Sequence, residues 1–158
     1  FGPLIDYCKG SQVFQDAPFS WPETWKHLDK AYPGSKFILT ERDSAEQWYQ
    51  SITRFHTKLF GQNGNLPTAD DLRNADYVRK GYMYNIITLH GTTDDDPYNK
   101  DIMMAHYERH NREVKAYFAD RPDDLLVINV GQPGAYQQFL SFLGITSTST
   151  DFPWENRT

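Results

Sequence analysis

An arginine at the end of an apolar segment is the residue whose position most clearly suggests chemistry. Arg42 follows 36–40 (KFILT), which reads as a buried strand, and precedes a helical pattern. Ligands of open α/β sheets bind at the carboxyl ends of strands, and helix N-termini offer free N–H groups to anions. The arginine fork matches phosphate oxygens, and Ser51 could add a hydroxyl from two turns into the helix. The alternative is a surface ion pair of Arg42 with Glu41 or Asp43, with Ser51 solvated.

Residues that could hold a metal ion are sparse in this sequence. His106 and His110 lie four positions apart in a helical pattern, a spacing that can bind metal, but no Glu-Glu or Cys set accompanies them. His110 is better interpreted as a hydrogen-bonded histidine on a half-buried stripe. The acidic run 94–96 lacks the spacing of a calcium-binding loop. The sequence therefore predicts no metal site.

Composition and charge exclude several classes of protein. The chain has 158 residues, with 16 Lys and Arg against 21 Asp and Glu, so binding of nucleic acid through bulk positive charge is not expected. Its mean hydropathy is −0.70, and no apolar run approaches the ~18 residues that a membrane span needs. The single cysteine, Cys8, cannot form an internal disulfide, and no signal-peptide pattern opens the chain. We therefore expect a cytoplasmic location, while the oligomeric state stays open.

The elements that must position these residues alternate between strand and helix. Strand-like segments occur at 12–15, 36–40 and 125–130, and the last two have the continuous apolar character of strands buried on both faces. Helical patterns lie between and after them: one begins at Ser20, one begins near Ser44, one covers 68–90, one ends near Phe118, and one follows Gly134 and ends at Gly144. The alternation predicts an α/β domain with a parallel sheet flanked by helices.

These motifs together resemble those of sulfotransferases. Segment 31–51 (AYPGSKFILTERDSAEQWYQS) has the Tyr-Pro-x-x-Lys, Thr-x-Arg-Asp and Trp-x-x-Ser order with which that family binds the 3′-phosphate of 3′-phosphoadenosine 5′-phosphosulfate (PAPS). Segment 13–28 is similar to the family's catalytic strand and the helix after it. Segments 110–145 and 152–158 are similar to its later helix, buried strand, closing helix and C-terminal ending. The resemblance covers nearly the whole chain except roughly residues 61–98.

The resemblance implies roles for individual residues. Arg42 and Ser51 would bind the 3′-phosphate of PAPS. They lie nine positions apart, one more than the commoner family spacing, so Ser44 is a substitute for Ser51. Asp16 would be the catalytic base, since it stands where many sulfotransferases place a catalytic His or Glu. The alternative for Asp16 is a cap on the loop into the helix at Ser20.

The resemblance also implies a pocket for an acceptor molecule under a helical cover formed by 61–118. His110 and Tyr82 would contact the acceptor, and aromatic residues of this region suit an apolar or ring-bearing alcohol. These aromatic residues are Phe60, Tyr77, Tyr82 and Tyr84. The alternative is that they belong to the core. The implied function is transfer of a sulfuryl group from PAPS to a hydroxyl, or an amine, of a small-molecule acceptor, without a metal and on a P-loop nucleotide-kinase-like architecture.

One motif of the family has no counterpart at the start of this chain. The phosphosulfate-binding loop is a Gly/Thr-rich strand-to-helix turn with a Lys or Arg, and residues 1–11 do not have that layout. We therefore expect a single domain over 1–158 that is incomplete at its N-terminus, the native chain extending upstream of Phe1 to supply a strand, a Gly-containing turn and a basic residue. The alternative is a non-catalytic α/β domain that binds a nucleotide or a partner. A nucleotide kinase would need a GxxxxGK[ST] loop, which this sequence lacks.

Overall fold

The computed structural model of the protein describes residues 1–153. In that part of the chain the elements are, in order, α1 (Gly2–Cys8), α2 (Thr24–Ala31), β1 (Phe37–Thr40), α3 (Ala45–Phe60), α4 (Ala69–Asn74), α5 (Tyr82–Thr88), α6 (Lys100–Tyr117), β2 (Leu125–Ile128) and α7 (Ala135–Leu143). Most of the predicted C-terminal ending, residues 154–158, lies outside the described residues. No helix within 1–153 combines the length and the apolar character that crossing a bilayer requires.

The two strands form a small parallel sheet. β1 and β2 pair with Phe37 opposite Leu125 and Thr40 opposite Ile128, which confirms the predicted parallel pairing and a mixed helix–strand fold. The prediction that both strands are buried on both faces is wrong, because Ile38 is 40% exposed. The sheet has only two strands among the described residues, so part of its apolar surface is uncovered.

The predicted strand at 12–15 is not formed. Val13 is 87% exposed, and the segment has no hydrogen-bonded partner strand in the described part of the chain. Apolar residues alone do not make a strand without a neighbouring ladder to pair with. The helix predicted from Ser20 begins instead at Thr24, because Glu23 adopts a left-handed φ of 64° and interrupts the helical run.

The region 68–90 forms two short helices instead of one. Ala75 is extended at the end of α4, and Gly81 has a φ of 75° just before α5. Only glycine adopts that conformation without a steric cost, so the helix cannot run through. Three other boundaries are as predicted: Ser44 is the N-cap of α3, α6 ends at Tyr117, and α7 lies between Gly134 and Gly144.

The chain divides into two compact units, each with its own core. The first comprises Phe1–Glu41 and His110–Asp151, and the second comprises Arg42–Arg109 together with Phe152. The buried core of the first unit is formed by Trp25, Leu39, Val114 and Phe118. The buried core of the second unit is formed by Leu72, Met83, Ile87, Tyr98 and Met103. The segment 61–118 contains α4 and α5 and reaches through α6. The cover formed by this segment and the single domain over 1–158 stay predictions.

Candidate anion-binding site at the start of helix α3

The first turn of α3 is fixed by side chains that its own sequence supplies. The Gln47 backbone N–H donates to Ser44 Oγ at 3.1 Å, which is an N-cap. The Gln47 side chain bonds Asp43 twice: the Asp43 N–H donates to Gln47 Oε1 at 2.9 Å, and Gln47 Nε2 donates to Asp43 Oδ2 at 3.0 Å. The turn after β1 therefore has a defined conformation, and the Ser44 O–H remains able to donate a further hydrogen bond.

Arg42 presents a free cation at this turn. Its side chain is exposed and makes no ion pair or hydrogen bond with any residue in 1–153. Both neighbouring carboxylates are engaged elsewhere, Asp43 by Gln47 and Glu41 by Lys115 at 2.7 Å. The alternative reading of Arg42 as half of a surface ion pair is therefore not realised in the described structure.

The backbone at the start of α3 adds further positive potential. The N–H groups of Ala45 and Glu46 find no acceptor within the described residues, as expected for the first turn of a helix. The Glu46 carboxylate, which would otherwise oppose an anion here, forms an ion pair with Lys100 at 2.6 Å. The Lys100 hydrogen bond also lowers the pKa of Glu46. Free amides, the helix dipole and one unpaired guanidinium together favour a bound anion.

Two aromatic residues of the second unit, to which Arg42 also belongs, support this turn. The Arg42 N–H donates to Tyr107 Oη at 2.8 Å, and the Tyr107 ring stacks on Trp48 with centroids 4.8 Å apart and planes at 16°. The rings of Trp48 and His90 also pack together, with centroids 5.8 Å apart. Burial lowers the pKa of His90, so its imidazole is neutral at pH 7. Sequence reasoning missed Tyr107 and Trp48 as site residues, because their helical spacing marks both as core positions.

Ser44 is the N-cap of α3, and Ser51 lies about two turns into the helix. The two serines are seven positions apart in sequence, which is about 10 Å along the helix axis. Ser51 is half-buried, and its hydroxyl has no hydrogen-bond partner in the described structure. One phosphate group cannot reach both hydroxyls, so the two serines are alternative partners for an anion held by Arg42.

Asp16 lies in an exposed loop of the first unit. Its φ is 58°, and its backbone carbonyl, not its carboxylate, accepts the Ser20 N–H at 2.9 Å. The carboxylate has no hydrogen-bond partner among residues 1–153, so the side chain does not act as a cap there. Its role as catalytic base stays a prediction.

The predicted acceptor contacts are placed as follows. His110, in the first unit, is half-buried, and its ring is edge-on to the Trp25 ring with centroids 5.0 Å apart. Burial lowers the pKa of His110. Tyr82, in the second unit, is half-buried and packs against the core of that unit, as the core alternative predicts. Tyr84 is engaged through its hydroxyl by Arg73 and Asp94. Contact of His110 or Tyr82 with an acceptor stays a prediction.

The described residues contain no group of three or more His, Cys, Asp or Glu side chains placed to hold a metal ion. In the second unit the His106 ring is edge-on to the His90 ring, with centroids 4.8 Å apart.

Comparison with known proteins identifies the family. A family model described as the sulfotransferase domain matches residues 6–158. Neither the curated proteins nor the solved structures compared with the chain give a significant match. The match extends over nearly all of the sequence, including the turn at Arg42. The chain therefore belongs to the sulfotransferase-domain family.

Proposed function

We propose that this protein transfers a sulfuryl group from PAPS to a hydroxyl, or an amine, of a small-molecule acceptor. The family membership supports sulfuryl transfer in general. The observation that carries the choice of donor is the unpaired Arg42 guanidinium beside free amides at the start of α3. PAPS differs from simpler nucleotides by its 3′-phosphate, and a phosphate dianion fits this combination of groups. A P-loop nucleotide-kinase-like architecture and a reducing, cytoplasmic compartment belong to the same proposal.

In this proposal the start of α3 binds and orients the nucleotide. Arg42 contacts the 3′-phosphate, and Ser44 or Ser51 donates a hydroxyl hydrogen bond to it. The hydrogen bond from the Arg42 N–H to Tyr107 holds the backbone from which the guanidinium extends. A charge-assisted phosphate contact of this kind contributes on the order of 1.5–3 kcal/mol to binding. The site supplies position and charge and takes no part in bond making.

The chemistry is assigned to the exposed carboxylate of Asp16. The acceptor oxygen attacks sulfur while its proton passes to Asp16, and the bond from sulfur to the bridging oxygen breaks in line. The electron pair of that bond leaves with 3′-phosphoadenosine 5′-phosphate. Because burial lowers its pKa, His110 is neutral near pH 7 and offers an uncharged ring nitrogen to the acceptor. Tyr82 adds an aromatic contact.

Calorimetry with 3′-phosphoadenosine 5′-phosphate and with adenosine 5′-phosphate tests the proposal. The first nucleotide is expected to bind more tightly, and Arg42→Ala is expected to weaken it roughly 10- to 150-fold. The matched control is Arg54→Ala, which removes the same charge from an exposed position of α3 that has no ion pair within residues 1–153, and it is expected to change nothing. Equal affinity in Arg42→Ala and the wild type would refute the assignment.

A second measurement separates catalysis from binding alone. Radiolabelled PAPS is incubated with a panel of phenols, alcohols and amines, and label transfer is followed. Transfer to any acceptor supports the enzyme. Tight nucleotide binding without transfer to any of them would instead favour a non-catalytic nucleotide-binding domain of the same family.

A further inference from the structure

A cavity lies at the opposite end of α3, within the second unit. It has a volume of about 470 Å³ and is lined by the end of α3, by α4 and by the residues that follow α4. The cavity is open to solvent on one side, and its volume is within the range that small organic ligands fill. It is lined by none of the residues given a role in the proposed transfer reaction, although Phe60 and Tyr77 are among the aromatic residues predicted to suit an acceptor.

The cavity has an aromatic and aliphatic wall. Phe60 and Tyr77 line it with their rings edge to face, centroids 5.5 Å apart. Tyr77 is 56% exposed, and Leu59 beside it is 45% exposed. Apolar surface of this kind is available to a ligand because no other part of the described chain covers it. Aromatic faces attract cations as well as apolar groups.

The polar lining of the cavity is acidic. Of the residues in 1–153, Asp70, Asp71 and Asp76 line it, and no Lys, Arg or His of that part of the chain does. Asp71 is held by the capping box of α4 with Thr68, and Asp70 pairs with Arg73 at 2.8 Å. Asp76 has no side-chain partner among the residues that the structure describes.

The balance of charge at the cavity is therefore negative. Arg73 offsets only part of it, since the same guanidinium also bonds Asp94 and the Tyr84 hydroxyl. The last carbonyl groups of α3 add partial negative charge at the same end of the helix. A metal ion is not the expected ligand, because no group of three or more metal-ligating side chains is placed to hold one in residues 1–153. Unbalanced carboxylates beside exposed rings fit an organic cation.

We propose that this cavity binds a small organic ammonium compound that carries an aromatic or branched apolar group. Its charged nitrogen lies against the carboxylates, and its apolar part lies against Phe60 and Tyr77. The proposal adds a second ligand site and does not depend on sulfuryl transfer. A ligand makes both the ionic and the apolar contact only if it carries both groups. A neutral compound of the same shape therefore keeps only the apolar contact.

Calorimetric titration with phenethylammonium chloride and with 2-phenylethanol tests this directly. The two probes match in size and ring but differ in charge. Phenethylammonium is expected to bind at least about 5-fold more tightly. Equal affinities, or no saturable binding of the ammonium, would overturn the proposal.

Variants locate the binding. Asp76→Asn keeps the side-chain shape at an exposed position and is expected to weaken phenethylammonium about 2- to 5-fold without affecting 2-phenylethanol. Tyr77→Leu is expected to weaken phenethylammonium by a similar factor. The control is Asp95→Asn, which removes an exposed carboxylate that does not line the cavity. An equal loss in Asp95→Asn would mean a diffuse charge effect and would overturn the site.

The same titration separates this proposal from the proposed function. It contains no nucleotide, so Arg42→Ala is expected to bind phenethylammonium as the wild type does. If the wild type binds phenethylammonium but not 3′-phosphoadenosine 5′-phosphate, only the transferase proposal is contradicted. Loss of ammonium binding in Arg42→Ala would overturn the assignment to this cavity.

Discussion

The two ends of α3 differ in charge, and the helix itself contributes to that difference. The helix is 16 residues long, so its ends lie about 22 Å apart along its axis. At the N-terminal end lie the Arg42 guanidinium and the first amides of the helix, which have no partner within residues 1–153. At the C-terminal end stands a cavity lined by three aspartates and by no cationic side chain of that part of the chain. Because the backbone dipole favours anions at one end and cations at the other, the side chains strengthen a bias that the helix already has.

The two ends are also held in different ways. The N-terminal turn is fixed by hydrogen bonds among Asp43, Ser44 and Gln47, which are local in sequence. The C-terminal end depends on a close backbone approach: a Cβ atom at Gly61 would lie 2.1 Å from the Asn65 carbonyl oxygen. Only glycine permits that approach, so the wall of the cavity depends on the loop folding back over the helix end.

The largest effect is expected from a residue at neither end. Asp16→Asn removes the proposed proton acceptor and is expected to slow sulfuryl transfer roughly 10²- to 10⁴-fold. Affinities for 3′-phosphoadenosine 5′-phosphate and for phenethylammonium are expected to stay at the wild-type level. The control is Asp123→Asn, at another exposed carboxylate of the first unit that has no partner among residues 1–153. Transfer at the wild-type rate by Asp16→Asn would place the base elsewhere.

A buried histidine in the last two turns of α3 is expected to make the stability of the protein sensitive to acid. His56 is 5% exposed, and its Nδ1 lies 2.9 Å from the Tyr98 hydroxyl. Burial lowers its pKa to about 4, below the value of about 6.5 in the unfolded chain. Between these values the unfolded chain binds a proton that the native state does not. The free energy of unfolding is therefore expected to decrease as the pH is lowered through this window, by up to roughly 3 kcal/mol for this group.

Urea unfolding at about pH 7 and about pH 4.5 measures this effect. His56→Gln lacks the titrating group and is expected to show a smaller difference between the two pH values. The control His27→Gln changes an exposed histidine of α2 and is expected to keep the full difference. An unchanged pH dependence in His56→Gln would show that His56 does not act in this way. Concurrent loss of ligand binding at both ends would show that one cooperative helix maintains them.

Two substitutions of Ser44 separate its structural role from its binding role. Ser44→Ala removes the N-cap and is expected to lower the free energy of unfolding by about 1 kcal/mol. Ser44→Asp retains a capping oxygen but adds a negative charge where the 3′-phosphate is proposed to bind. We expect it to unfold like the wild type and to bind 3′-phosphoadenosine 5′-phosphate several-fold more weakly. Unchanged nucleotide affinity in Ser44→Asp would mean that the 3′-phosphate binds near Ser51 and not at this turn.

The smallest effect is expected at the aromatic support of the turn. Tyr107→Phe removes the acceptor of the Arg42 N–H but keeps the ring on Trp48, and it is expected to weaken nucleotide binding roughly 5-fold. Tyr49→Phe is the control. It removes a hydrogen bond of 2.9 Å that the Tyr49 hydroxyl of α3 donates to the Tyr98 carbonyl. It is expected to affect stability and not affinity. Equal nucleotide affinity in Tyr107→Phe and the wild type would mean that this hydrogen bond does not position Arg42.

The features that the sequence predicts correctly depend on local signals. Ser44 caps its own helix, Gly144 ends α7, and the apolar runs at 36–40 and 125–130 contain the paired strands. The failures depend on distant or conformational information. The segment 12–15 has apolar residues but no strand beside it in the described part of the chain. The region 68–90 is split by backbone angles that the helical residue pattern does not encode.

The candidate site follows the same division. Arg42 could be predicted because its position after a strand and before a helix is visible in the sequence. Tyr107 could not, because its contact with Arg42 requires α3 and α6 to pack together. The cavity could not be predicted either. Its aspartates are visible along the chain, but its concave shape depends on the loop closed at Gly61.

The register of the small sheet has a consequence for how the chain folds. Phe37 pairs with Leu125, so these contacts cannot form until the chain between them has been brought into a closed loop. Arg42–Arg109, most of the second unit, lies wholly within that loop and is continuous in sequence. Contacts between near neighbours form faster than contacts between distant ones. We therefore expect α3, α4 and α5 to acquire structure early during synthesis, and the strand pair to form only after residue 128 has emerged.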